Sequence, residues 1–142
     1  MLKPYGIRLA AKPKCSLRSI LCKVKDPVLA EDRNSVVYKV GCLDCTSSYI
    51  GETGRQLHTR ITEHQRNVQN NYANSQIAQH VYEHNHNINW HATSILTQHT
   101  DNRSRKILEA FHTNTTNNTL NRAIDIPTQY THIASAVLGT HR

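Results

Sequence analysis

With 142 residues, a formal net charge of +7 and 37% hydrophobic content, the chain has the length of one ordinary domain and the makings of only a thin core, which an extra staple would help to hold. No stretch approaches the ~20 apolar residues of a membrane span. The N-terminal segment also lacks the apolar block of a secretory signal, so the composition argues against a membrane or secreted protein and for an intracellular one.

Residues 1–33 read as a basic leader, a linker or arm with Pro4, Pro13 and Pro27 and no sustained periodicity. Up to residue 30 it carries Lys3, Arg8, Lys12, Lys14, Arg18, Lys23 and Lys25 against Asp26 alone. Such a charge suits a polyanion, and the absence of a Leu/Phe/Trp stripe favours nucleic acid over an anionic membrane surface. A solvated tail is the alternative for this segment. In an intracellular chain Cys15, Cys22, Cys42 and Cys45 stay reduced, which favours metal binding for a close pair over a disulfide.

After the leader, the pattern is that of a folded domain. Val36, Tyr38 and Val40 alternate on one face, and Tyr49–Glu52 is short and β-prone, so the spacing predicts two antiparallel strands joined by residues 41–48. Tyr38 and Tyr49 then lie close if the register puts them on one face. Lys39 on this hairpin and Arg55 just beyond it join Lys12, Lys14 and Arg18 as candidate nucleic-acid contacts.

The run "RQLHTRITEHQRNVQ" places Leu57, Ile61, His64 and Val68 at helical spacing. "NSQIAQHVYEH" predicts a second helix, capped by Asn74 or Ser75, with Ile77, Ala78, Val81 and Tyr82 facing inward. Residues 88–97 read as a third strand, and "RSRKILEAFHT" from residue 103 as a third helix burying Ile107, Leu108 and Phe111. Beyond Leu120 the pattern fades.

Three groups of residues carry chemistry. Cys42 and Cys45 are spaced so that one turn presents both thiolates to one ion, and His80 with His84 or His86 supplies imidazoles at a permitted spacing. The 34 residues between Cys45 and His80 far exceed a compact finger, so zinc here would tie the hairpin loop to a distant helix. A chance pair among ten scattered histidines is the alternative. Arg60 and His64 sit one helical turn apart beside the apolar stripe, where a guanidinium can hold a phosphate and an imidazole can relay a proton; an exposed Arg paired to Glu63 or Gln56 is the plainer reading. Glu109, between Leu108 and Ala110, can bind a divalent cation or answer Arg105.

In order, Tyr38, Cys42-x-x-Cys45, "YIGETGRQLHTRITEH" over residues 49–64, Glu109 in "RKILEA" and Asn121 in "TLNR" resemble the GIY-YIG nuclease family. The Cys pair between the two half-motifs, "VVYKVGC" and the later histidines are similar more specifically to the endonuclease domain of Penelope-like retroelements. The resemblance covers about residues 34–127, which implies a domain over that span with 128–142 as a C-terminal tail, and "YGIRLAAKPKCSLRSIL" resembles the segment that leads into that domain from a reverse transcriptase. Two departures stand out: the first half-motif is Val36-Val37-Tyr38 instead of Gly-Ile-Tyr, and "NRAIDIP" lacks the acidic and glycine residues expected after Asn121.

The resemblance implies an α+β fold, a small mixed or antiparallel sheet flanked by helices, with a zinc-stapled hairpin loop. It implies a metal-dependent DNA endonuclease that nicks target DNA for retroelement insertion, using Mg²⁺ or Mn²⁺ on Glu109 and structural Zn²⁺ on Cys42, Cys45, His80 and His86. Tyr38 would take the proton from the attacking water, supported by Tyr49 and by His64; nearby positive charge would have to favour the phenolate. Arg60 would share the developing charge, and Asn121 would hold the substrate or Glu109. DNA and an upstream reverse transcriptase domain of the same element are the implied partners, and the nucleus the implied location. The alternative expectation is a catalytically inactive, zinc-stabilised nucleic-acid-binding remnant.

Overall fold

Val36, Val37, Tyr38 and Val40 are buried in succession, and a strand that is apolar on both faces belongs in the middle of a sheet. Strand β1 (Val36–Cys42) is accordingly central, with β2 (Ser48–Thr53) on one side and β3 (Ile88–Gln98) on the other, all antiparallel in the order β2-β1-β3. The computed structural model describes residues 28–126 and Tyr130. Lys12, Lys14, Arg18, Cys15, Cys22 and the predicted tail apart from Tyr130 lie outside the described residues.

Helices α1 (Leu57–Gln69) and α2 (Gln76–His84) cover one face of the sheet, where Val36, Tyr38, Val40, Leu57, Ile77 and Ile88 form the larger core cluster. Helix α3 (Asn102–Thr115) covers the other, packing Leu108 on Val37 and Ile50. The chain is thus α+β, with a small antiparallel sheet between helical layers. Of the two candidate caps for α2, Ser75 is the one used, its hydroxyl accepting the Ala78 N–H. Asp101 caps α3 in the same way, through Ser104.

Several inward positions differ from the periodicity; on α3 only Leu108 of the three predicted is buried, Ile107 and Phe111 being half-buried. Tyr82 is exposed, and His80 takes the buried place on α2, because its imidazole faces the hairpin loop that carries the cysteines. Arg105 does not answer Glu109. It is 5% exposed in its side chain and joins Glu52 of β2 at 2.9 Å, while its Nη1 donates to the carbonyls of His99 and Thr100. Such a pair fixes the seating of α3 on β2, and removing one partner would strand the other charge in a buried setting.

The register decides how the tyrosines meet. Tyr38 stands opposite Gly51 and Tyr49 opposite Val40, so the two rings are diagonal neighbours on one face, 6.5 Å between centroids. Gly51 makes this possible. A Cβ there would lie 2.6 Å from Tyr38 Oη and 2.8 Å from Tyr49 Cε1.

Gly51→Ala therefore gives a clear sign test. In a strand the substitution should stabilise slightly by propensity; the ring contacts instead predict a loss of about 1–3 kcal/mol, read as a lower urea midpoint. An unchanged or raised midpoint would mean that the rings do not need this closeness.

Candidate functional site

The site begins at the tyrosine pair. Helix α1 lowers His64 onto it: the imidazole is 4% exposed and its Nε2 lies 2.7 Å from Tyr38 Oη. Burial, with help from the Arg60 charge, pulls His64 down to about 4, so the ring is neutral at pH 7. Burial also pushes the Tyr38 phenol far up, joined by the Tyr49 charge, against the opposing pull of Arg60. Tyr38 is therefore protonated and donates to Nε2, its one acceptor among the described residues. His64 Nδ1 is buried without a partner. Tyr49 is raised for the same leading reason, burial, and then by the Glu109 charge. The expectation that positive charge would favour a phenolate is not met, because desolvation outweighs Arg60 at both rings.

Arg60 lies one turn before His64, with Nη1 donating to Glu63 Oε2 at 3.0 Å. Burial lowers its guanidinium, but Tyr38, Tyr49 and the Glu63 hydrogen bond outweigh this and raise it. The plainer pairing with Glu63 is thus present, and Glu63 is shared: Arg55 reaches it at 2.6 Å. Arg55 is accordingly tied back to α1. Lys39 is half-buried on β1, on the sheet face that carries Val37.

Glu109 joins no ion pair among the described residues. Burial raises its carboxyl to about 7, with the Glu52 charge adding to the rise and Arg60 and the Glu52 backbone N–H opposing it. Its charge acts on Tyr49 and Tyr38 as well, so Glu109, Arg60 and the two tyrosines share one electrostatic neighbourhood. Asn121 serves the backbone: its Oδ1 accepts the Ile50 N–H at 2.8 Å and its Nδ2 donates to the Ile50 carbonyl at 2.6 Å. The amide occupies the outer edge of β2 as a strand would, and neither contact goes to Glu109.

A polar cleft of about 260 Å³ opens beside these groups, lined by Tyr49, Arg60, His64, Asn67, Tyr72, residues 73–76, Gln79 and Arg122. Tyr38, at 0% exposure, stands behind it. Sequence reasoning missed Arg122, which follows Asn121 in "TLNR" but carries no local sign that it faces the cleft, and Glu52, whose partner lies 53 residues away.

The second cluster joins the hairpin loop to α2. The ligand atoms of Cys42, Cys45, His80 and His86 all lie within 4.8 Å of one another. Cys45 Sγ is 3.6 Å from His80 Nε2, and His86 Nδ1 is 3.2 Å from the same nitrogen. A tetrahedral centre with bonds of about 2.3 Å to sulfur and about 2.0–2.1 Å to nitrogen has S–N edges of roughly 3.5–3.6 Å and N–N edges of roughly 3.3–3.4 Å. The four residues can hold a metal ion, and two thiolates with two imidazoles are a donor set that suits zinc.

His86 belongs to this group and His84 does not, because Asn85 ends α2 in the left-handed conformation, φ 53°, and turns the chain back. Asp44, between the cysteines, braces the turn by accepting the Asn87 backbone N–H at 2.6 Å. The Cys45 thiol is drawn down to about 7, first by its hydrogen bonds with Ser47, whereas burial leads in raising Cys42.

Comparison of the chain with protein-family models, curated proteins and solved structures finds no match. Among the described residues no helix is long and apolar enough to cross a membrane.

Two outcomes are expected. Purified protein should carry about one zinc per chain by elemental analysis, lost in Cys42→Ser and His86→Ala and kept in His84→Ala; the opposite histidine result would reassign the ligand. His64, held near 4 in the fold against about 6.5 unfolded, leaves full stability above pH 6.5 and removes up to about 3 kcal/mol as pH falls toward 4. Urea titrations at pH 7 and pH 5 should therefore show a smaller acid loss for His64→Gln than for the parent.

Proposed function

We propose that this domain is a GIY-YIG-type endonuclease, similar to the endonuclease domain of Penelope-like retroelements, that hydrolyses DNA phosphodiester bonds with Mg²⁺ or Mn²⁺. The observation that supports it best is the 2.7 Å contact between Tyr38 and His64, made over Gly51 and beside Tyr49 and Arg60. Those residues come from two strands and a helix, and they are the ones on which the motif resemblance rests. DNA as substrate, a reverse transcriptase of the same element as partner and action in the nucleus belong to this reading.

The burial of Tyr38 changes the division of labour. Shut off from the cleft, Tyr38 is a positioning residue that holds His64, and Tyr49 is the phenol that reaches the cleft. Glu109, unpaired and near neutrality in its titration, is the carboxylate that would hold the divalent cation. When bound, that cation supplies Lewis-acid stabilisation of the non-bridging and leaving oxygens. Tyr49 starts as a phenol, so it must first give its own proton to solvent before it can take one from the attacking water; offsetting the Glu109 charge would remove one cause of its raised titration, while burial, the leading cause, stays in place. Arg60 shares the charge that develops on phosphorus, and neutral His64 orients the attacking side. The products are a 5′ phosphate and a 3′ hydroxyl, the latter suited to prime reverse transcription.

A zinc-stabilised nucleic-acid-binding module without cleavage is the second reading, favoured by the complete burial of Tyr38 and the pairing of Arg60 with Glu63. Supercoiled plasmid with Mg²⁺ or Mn²⁺ separates the two. Nicked circles should form, Glu109→Ala should reduce them roughly 10²-fold or more, and equal inertness of both proteins would leave the binding module. Because Glu109 must lose its proton to hold the cation, nicking at limiting Mg²⁺ should rise as pH increases through about 7. A flat profile from pH 6 to 8 would remove Glu109 from the metal.

A further inference from the structure

The cleft lined by Tyr49, Arg60 and His64 does not end at those residues. A second hollow of about 300 Å³, flanked by His84 and Leu120, shares Gln76, Gln79 and Arg122 with it. Together they make one polar groove between α2 and the segment around residues 119–122. Each half has roughly the size of a small-ligand pocket, which one nucleotide unit can fill.

Four features of this groove point to a nucleic-acid strand. The N-terminus of α2 opens onto it: Ser75 takes the Ala78 N–H, while the Gln76 and Ile77 amides have no acceptor among the described residues. His64, 4% exposed, lines the same cleft with Nδ1 unpartnered. Arg122 is exposed and joins no ion pair among the described residues, unlike Arg55 and Arg60, which share Glu63. Tyr72, 54% exposed, offers an aromatic surface at the rim. The one carboxylate along the groove, Glu83, is held by Gln79 at 2.7 Å.

We infer that this groove is a track for one separated strand of nucleic acid, which holds a phosphate between the first amides of α2 and the Arg122 guanidinium and stacks a base on Tyr72. The combination of cation, free amides and aromatic face is what single-strand binding uses, since it needs charge along the backbone and a π-surface for any base. The inference deepens the nuclease reading and rests on it for where the strand is cut; strand binding itself does not depend on cleavage. It also gives the narrow cleft a consistent substrate: the nicked strand would enter it melted from its complement.

Fluorescence anisotropy with a labelled oligothymidine and a duplex of equal length tests this, using the full chain without added Mg²⁺ or Mn²⁺. The single strand should bind more tightly than the duplex. Arg122→Gln should weaken it and lower the slope of log Kd against log salt by about 0.7, the share of one phosphate contact. Tyr72→Ala should weaken it by about 5- to 100-fold with the slope unchanged, and Tyr72→Phe should not. Arg66→Gln, the same charge loss on the exposed side of α1, should leave both quantities alone. Equal effects of Arg122→Gln and Arg66→Gln, or tighter duplex binding insensitive to Tyr72, overturn the track. If the plasmid is nicked while these variants bind as the parent does, the track falls and the nuclease reading stands. If the variants weaken binding while plasmid stays intact with either metal, the nuclease reading falls and the track stands.

Discussion

The contact between the Tyr38 hydroxyl and His64 Nε2 organises this domain. It needs a glycine opposite Tyr38, because any Cβ at position 51 would collide with both rings. It needs α1 seated so that a histidine replaces an apolar side chain in the stripe of Leu57, Ile61 and Val68. The Tyr38 hydroxyl and His64 Nε2 satisfy one another, leaving only His64 Nδ1 of this pair buried without a partner, and the same low-polarity setting keeps the phenol protonated and the imidazole neutral. Structure and chemistry are linked at this point: the burial that stabilises the contact also fixes the protonation states with which the site would begin a reaction.

The edge strand β2 shows how the rest of the site is held. An unpaired strand edge exposes backbone groups that need partners. Here Asn118 and Leu120 bond to Ser48, and the Asn121 amide closes on Ile50 through both of its ends. Arg105 ties Glu52, next along the same strand, to α3 and the loop before it. One turn further along α3 comes Glu109, so the clamp that seats the helix also sets where the free carboxylate stands. Among the described residues Glu52 is paired with Arg105 while Glu109 joins no ion pair, so the two acids differ in whether they have a cationic partner.

The Cys/His cluster solves a different problem. Among the described residues only a few large apolar side chains are fully buried, and the hairpin loop between β1 and β2 has little hydrophobic anchoring of its own, with Leu43 exposed. Four ligands drawn from that loop and from the end of α2 can fasten it through metal bonds where apolar contact is scarce. Asp44 and Asn87 pre-arrange the turn by hydrogen bonds, so part of the geometry is present in the protein framework itself.

Much of this was legible in the residues alone. Alternation in Val36–Val40, the apolar stripe of α1 and the Cys-x-x-Cys spacing are local patterns, and local patterns survive folding because backbone period and side-chain chemistry enforce them. The strands, the three helices, the antiparallel hairpin and the nearness of the two tyrosines follow from such signals. What sequence could not decide were choices between distant residues. Whether His84 or His86 joins the cysteines turned on a left-handed Asn85, and whether Arg105 meets Glu109 or Glu52 turned on how α3 lies across the sheet. Likewise the burial of Tyr38, which moves the cleft-facing role to Tyr49, depends on α1 covering it. Sequence by itself determined which elements form and which reactive groups they carry; tertiary structure alone decided which of those groups meet and which face solvent, since partner choice and desolvation arise only when separate elements pack.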